Sequence, residues 1–229
     1  MELESPFPYL TVPSLALELQ NISALHIKYH VRQSLLRLEQ LQKSKQKERL
    51  SEEGTIRQRF GEIEANPISL PEEYCKQAVE QLNTDLASHF TMFFQFKKQH
   101  WIVEGPDWKH LHEALDKYAK TIAEAADKLA ERINLLGGLP VSNPSRFTEL
   151  AYVKFEGEDK IDLRAMLEND LHAEQIAIQN LRERIQLAQD NNDYGTDENL
   201  KDILEDHEEV AHELDHYLRD TSLEETLRR

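Results

Sequence analysis

Two imidazoles and two carboxylates, His100, His112, Asp127 and Glu131, stand at spacings of 12, 15 and 4 on helix-forming sequence. Neutral imidazole and ionised carboxylate are the side chains that hold iron, zinc or manganese while leaving coordination positions open to a reacting molecule. A single helix over residues 106–136 would separate His112 from Asp127 by about 22 Å at ~1.5 Å per residue. Ligands of one metal ion lie within a few Å of each other, so these two cannot meet within one helix. A turn of ~100° per residue nevertheless brings Asp116, Asp127 and Glu131 to within about 100° of His112 around the axis. A two-fold axis crossing that face would set the early end of one helix against the late end of its mate. The spacing therefore hints at a metal site shared between two chains.

The elements that must carry these residues are helical. Residues 1–13 hold three Pro and read as an extended lead-in. From Leu15 to about Leu41 the apolar residues Leu17, Ala24, Ile27, Val31, Leu35 and Leu38 follow an amphipathic helical period. Residues 42–70, with Lys43, Lys45, Lys47, Arg49, Gly54, Gly61 and Pro67, are expected to form a partly helical or loose connector. Four long helical patterns follow. The first runs from about Pro71 to Trp101, with Glu72 and Glu73 at its positive end, and Gly105-Pro106 turns the chain into the second. The second stops at Gly137, Gly138 and Pro140. A long connection, 137–159, holds a short helix near Ser145 to Ala151. The third helix covers about Ile161 to Gln189. The fourth is expected to start with Thr196 as N-cap and to reach about Arg219. Two helical hairpins joined by one long crossover give an all-α, ferritin-like four-helix bundle with an N-terminal helical extension. The expected organisation is an extension over 1–70, the bundle over 71–221 and a tail over 222–229.

Composition is compatible with this reading. The chain has 229 residues, 31% of them charged, and a net charge of −16. Residues 1–70 hold nine basic and nine acidic residues, so all of the excess lies in 71–229. An acidic body repels nucleic acid and attracts cations. No apolar run approaches the length of a membrane span, and the start MELESPFPYL lacks the pattern of a signal peptide, so no membrane contact and a cytoplasmic location are expected. The single Cys75 excludes an internal disulfide framework and reads as a buried small hydrophobe.

The stretch His100-Trp101-Ile102-Val103-Glu104-Gly105, then Trp108, Leu111-His112, Tyr118, Asp127, Ala130-Glu131-Arg132, Leu136-Gly137-Gly138 and Pro140 resembles the Dps family of mini-ferritins. In that family the pattern is H-W-x-V-x-G, an aromatic, L-H, then D-x-x-A-E-R and L-G-G-x-P. The likeness continues more weakly through Asp193 to Leu200 and Glu205-Asp206-His207-Glu208. The ending His216-Tyr217-Leu218 with Asp220 and Leu223 looks closer to the cyanobacterial and haloarchaeal DpsA branch. About 150 residues are covered, and the first 70 are not.

The resemblance implies a dodecameric shell with ferroxidase sites at two-fold interfaces, where iron is oxidised by hydrogen peroxide or dioxygen and stored as ferric mineral against oxidative stress. By it, one chain supplies His100, His112 and Asp116 and its mate Asp127 and Glu131, with zinc or another divalent metal able to take the same site. It also implies a role for Trp101 as an electron donor that quenches stray oxidising equivalents; the plainer alternative is a packing aromatic. Asp193, Glu198 and Asp202 are expected at a three-fold pore that admits iron.

Other residues leave alternatives open. His89 is too far from His100 to share its metal, and His172, His207, His212 and His216 read as solvated helix faces, an extra metal site or a nucleation patch. His26 and His30 read as an exposed pair able to pinch a zinc. A rival di-iron oxidase centre inside each bundle would use Glu209-x-x-His212 and Glu213-x-x-His216, but the second helix offers Asn134 where that motif needs a His. DNA binding through Lys43 to Arg49 is doubtful, because that patch is short and joins an acidic body.

Overall fold

A computed structural model of the chain describes residues 31–44 and 56–219. The expectations for residues 1–30, 45–55 and 220–229, among them His26, His30 and most of the N-terminal amphipathic pattern, lie outside the described residues. The chain divides into two compact units, Met1–Arg57 and Gln58–Arg229. In the first, residues 31–44 form a helix, α1, whose side chains are all exposed. Among the described residues there is no strand, and no helix is long and apolar enough to cross a membrane.

The second unit holds α2 (Glu72–Ile102), α3 (Trp108–Leu135), α4 (Pro144–Leu150), α5 (Leu163–Asp190) and α6 (Tyr194–Leu218). Each boundary has a local cause. Pro71 precedes α2, and Glu72 and Glu73 occupy its first turn, where the helix dipole favours negative charge. Val103 turns the backbone extended, and Gly105 at φ +114° completes the sharp link to α3. At the end of α3 the Gly138 N–H donates to the Ile133 carbonyl and the Gly137 N–H to the Asn134 carbonyl, a left-handed glycine cap with Gly137 at φ +89°. Asn143 caps α4 through Ser145 N–H, and Asp162 caps α5 through Ala165 N–H. The cap of α6 is Asp193, whose carboxylate accepts from Thr196 N–H. Thr196, expected as the cap, sits three residues inside the helix. The carboxylate is the stronger acceptor, and it is anchored by Arg132 as well.

α2 and α3 pack as one hairpin and α5 and α6 as another; α2 faces α5, α3 faces α6, and α4 lies on α2. This is the expected bundle with one long crossover. Its interior has two apolar clusters. One, around Leu82, Leu86, Leu129, Ile133, Leu181 and Ile203, fills the end where α2 begins and α3 ends. The other, around Phe96, Leu111, Leu115, Tyr118, Leu167 and Leu214, fills the opposite end. Each fully buried aliphatic side chain contributes about 1.5–3 kcal/mol of transfer free energy. Cys75 is buried in the first cluster, as read from sequence.

The residues before α2 belong to this packing. Glu64 N–H and Gln58 Nε2 both donate to the Gly137 carbonyl, and the Phe60 ring lies under the Arg146 guanidinium at 4.4 Å. A Cβ on Gly137 would collide with the Glu64 carbonyl, so glycine there serves both its φ and the approach of this strand of chain.

Candidate metal centre

His100 stands at the end of α2 and His112 in the second turn of α3, on either side of the Gly105 turn. That turn folds the two helices back so closely that the rings stack, with centroids 3.8 Å apart. Each ring Nδ1 lies against the other residue's backbone carbonyl, His100 on His112 at 2.8 Å and His112 on His100 at 2.9 Å. A carbonyl only accepts, so both Nδ1 atoms carry the hydrogen and donate it. In the neutral rings Nε2 is then the lone pair, the form in which imidazole binds a metal, and the reciprocal bonds lock the ring planes.

Asp116, one turn beyond His112, is half-buried and gripped by two ammonium groups, Lys120 at 2.7 Å and Lys97 at 2.8 Å. The hydrogen bond from Lys120 and then that from Lys97 hold its carboxyl well below the usual carboxylate range, so it stays ionised. Lys97 and Lys120 were missed from sequence. Their signal was present: Lys97 precedes His100 by three residues and Lys120 follows Asp116 by four, each on the same helix face.

Asp127 and Glu131 are exposed near the other end of α3. Neither has a hydrogen-bond or ion-pair partner among the described residues. Within one chain they remain about 22 Å (Asp127) and about 28 Å (Glu131) along the helix from His112 at ~1.5 Å per residue. No group of three or more His, Cys, Asp or Glu side chains converges as a metal cage among the described residues of this single chain. Around the two histidines the surface is aromatic: Trp101 is 68% exposed, and the Trp108 ring, itself largely exposed, lies 5.1 Å from that of His112.

The expected pore residues separate. Glu198 and Asp202 are exposed on the first turns of α6, whereas Asp193 is turned inward and buried. Its carboxylate accepts from Thr196, from the Tyr74 hydroxyl at 2.8 Å and from Arg132 at 2.5 Å. Burial works to raise this carboxyl, but Thr196, Tyr74 and Arg132 together outweigh it and bring it below its ordinary value. Asp193 thus ties the start of α6 to α3 and α2 instead of facing a channel.

The rival centre inside the bundle is not assembled from its expected residues. Glu209, His212, His216 and Asn134 are all exposed, and Glu213 is engaged by Lys117 at 2.9 Å and by the Tyr118 hydroxyl at 2.7 Å. His172 is exposed as well. His207 departs from the solvated-face reading. It is buried between α2 and α5, on the apolar stripe formed by Leu200, Ile203, Val210 and Leu214. That spacing was the signal for burial.

The comparisons agree with this architecture. A family model described as a ferritin-like domain matches residues 79–223. The chain is 37% identical over 175 residues to a DNA protection during starvation protein of Halobacterium salinarum, covering 76% of this chain and 96% of that one. It is 34% identical over 169 residues to a nutrient stress-induced DNA-binding protein of a Nostoc species, covering 74% and 92%. Among solved structures, that of an archaeal Dps homologue from Halobacterium salinarum superposes with a TM-score of 0.72 at 37% identity, covering 75% of this chain and 96% of that one.

Proposed function

The chain belongs to the ferritin-like proteins of the Dps type, and from that premise we propose that it oxidises Fe(II) with hydrogen peroxide or dioxygen at sites shared between two subunits. The ferric product is stored in a dodecameric shell, which removes both halves of a radical-generating pair. The observation that carries this reading is the locked His100–His112 pair, whose stacked rings spend Nδ1 on backbone carbonyls and keep Nε2 for a metal, with the ionised Asp116 one turn away. Three donors on one chain leave a metal under-coordinated. Asp127 and Glu131 of a second copy, unpartnered on the same face of α3, complete the set once a two-fold axis reverses the helix.

Each group has a task. The imidazoles and carboxylates hold two Fe(II) and stabilise the higher charge that develops as each gives up one electron. The peroxide O–O bond breaks as it accepts the two electrons. Its oxygens, with those of two waters, end in two ferric oxyhydroxide units, and four protons leave. Lys97 and Lys120 keep Asp116 ionised and must yield it when iron arrives. Trp101, which follows His100 and is exposed, gives an electron to a stray oxidant in this reading. Glu198 and Asp202 are the acids left to draw Fe(II) inward, with Asp193 as their structural anchor.

The test is anaerobic loading with Fe(II) followed by peroxide or oxygen, monitoring ferric absorbance, retained iron and particle mass. Peroxide-driven oxidation in a particle of twelve 26.7 kDa chains is expected. A small particle that leaves iron at its background oxidation rate would overturn the proposal. DNA binding, for which the Nostoc relative is named, is the second reading. It would rest on Lys43, Lys45, Lys47 and Arg49 against a net charge of −16, and retardation of plasmid at physiological salt would establish it.

A further inference from the structure

Midway along the bundle, between the two apolar clusters, His89 of α2, Glu174 of α5 and His207 of α6 are fully buried and touch one another. His89 Nδ1 lies 2.7 Å from the Asp85 carbonyl, so it carries a hydrogen and donates it. If neutral, His89 then presents Nε2 as a lone pair. His207 places Nε2 at 3.0 Å from that atom, with the rings nearly perpendicular at 89°, and Nδ1 at 2.5 Å from Glu174 Oε2. Three contacts in series thus need one hydrogen each. Two neutral imidazoles bring one apiece, and a carboxylate brings none. The third is an added proton held by the Glu174–His207 pair, which leaves the three residues with no net charge. One proton fewer would set two lone pairs face to face beside a buried anion, and one more would crowd two hydrogens between the Nε2 atoms.

We propose that this relay is an acid-triggered latch: it ties α2 to α6 and α5 only while it holds that single added proton, and a second proton, arriving on His89, opens the contact between α2 and α6.

The surroundings give the second proton no support. On α2, Asp85 is pushed up to about 6 by burial against the pull of Arg184 of α5, with which it pairs at 3.3 Å. On α5, Asp170, one turn before Glu174, is raised by burial to about 8. Tyr152, on the crossover, and Tyr118 of α3, whose hydroxyl donates to Glu213 of α6, have their phenols raised, first by burial, and stay neutral. Burial and then the charge on His207 push His89 down to about 3 from 6.5. The sign follows: below pH 6.5 the unfolded chain protonates His89 and the folded chain does not until near pH 3, so stability present above 6.5 is lost as pH falls through that window. The loss is up to about tenfold in the folding equilibrium per pH unit for one proton.

The test compares the assembled full chain with its His89→Gln variant, whose amide oxygen can accept from His207 but cannot take a proton. Denaturation midpoints are measured from pH 8 to 4.5. The wild type is expected to lose stability below pH 6.5 by up to ~tenfold per unit relative to the variant; parallel pH profiles would overturn the proposal. Neutron diffraction of the unaltered protein near pH 7.5 reads the relay even if the variant does not fold. One deuterium in each of the three gaps supports it. An empty Nε2–Nε2 gap, or a metal ion there identified by anomalous scattering, sinks it.

Discussion

His100 and His112 show how two residues set each other's chemistry. Each ring is a donor to the other's backbone, so neither can rotate its Nε2 away or move its Nδ1 hydrogen to Nε2 without losing a hydrogen bond of about 1 kcal/mol. The ligand role proposed for them, and for the acids at the far end of α3, leads to a complementation experiment. His112→Ala and Glu131→Ala are each expected to abolish peroxide-driven iron oxidation as pure proteins. Subunits of the two variants, dissociated and reassembled together, should regain a fraction of the activity, because some interfaces then bring an intact His112 to an intact Glu131. Mixed shells verified by mass that still lack activity would show that the two residues serve different metals or none. At the same scale, Asp170 is a buried acid whose Oδ1 accepts from Gln95 and Gln99 while its other oxygen has no partner among the described residues. Burial raises its folded pKa from 3.8 to about 8, so its contribution is fully present below 3.8 and is lost as pH rises toward 8. Asp170→Asn should therefore stabilise the chain at pH 8, by an amount on the order of a few kcal/mol, and lose that advantage near pH 4, as followed by denaturant titration.

At the scale of elements, the end of α3 joins the helix cap to the segment ahead of α2. Gly137 adopts φ +89° and receives Glu64 on its open side, whereas Gly61 adopts φ +90° with nothing within 4 Å of a would-be Cβ. The pair separates conformational strain from packing. Gly61→Ala is expected to cost about 1–2 kcal/mol from backbone strain alone. Gly137→Ala should cost ~2 kcal/mol or more beyond that, because residues 58–64 must also detach or shift. Equal losses at the two positions, measured by denaturation midpoint, would mean that the docked segment adds nothing to the bundle. The Asp193 junction follows a similar logic. One carboxylate caps α6 and holds α3 and α2 to it through Arg132 and Tyr74, which explains why an acid at this turn faces inward.

For the whole molecule, the charge of −16 lies outside residues 1–70, on the part that holds the candidate metal residues. Such a body attracts cations, and the proposed iron entry assigns the exposed Glu198 and Asp202 to focusing Fe(II). The double variant Glu198→Gln, Asp202→Asn is expected to slow iron uptake several-fold at low ionic strength, while sites already loaded oxidise at the unaltered rate. The deficit should shrink as salt rises, since the screening length falls from about 30 Å at 0.01 M to about 8 Å at 0.15 M. Stopped-flow uptake at several salt concentrations measures it. A defect independent of salt would indicate distortion of the α6 start instead of lost attraction.

Much of this protein is written in near neighbours along the chain. Apolar spacing near 3.6, glycine and proline at 105–106 and 137–140, and acids at helix starts determine four helices and their breaks, because those preferences act within a turn or two. The ligand types at 100, 112, 127 and 131, and the impossibility of joining them in one helix, are equally local facts. Tertiary structure decided what distant groups do to each other: the shared tautomer of His100 and His112, the lysine clamp on Asp116, the inward turn of Asp193, and the meeting of His89 with His207 across a separation of 118 residues. A side chain's spacing shows which face of a helix it occupies. Its protonation, burial and availability to a metal depend on which other helix covers that face, and only packing settles that.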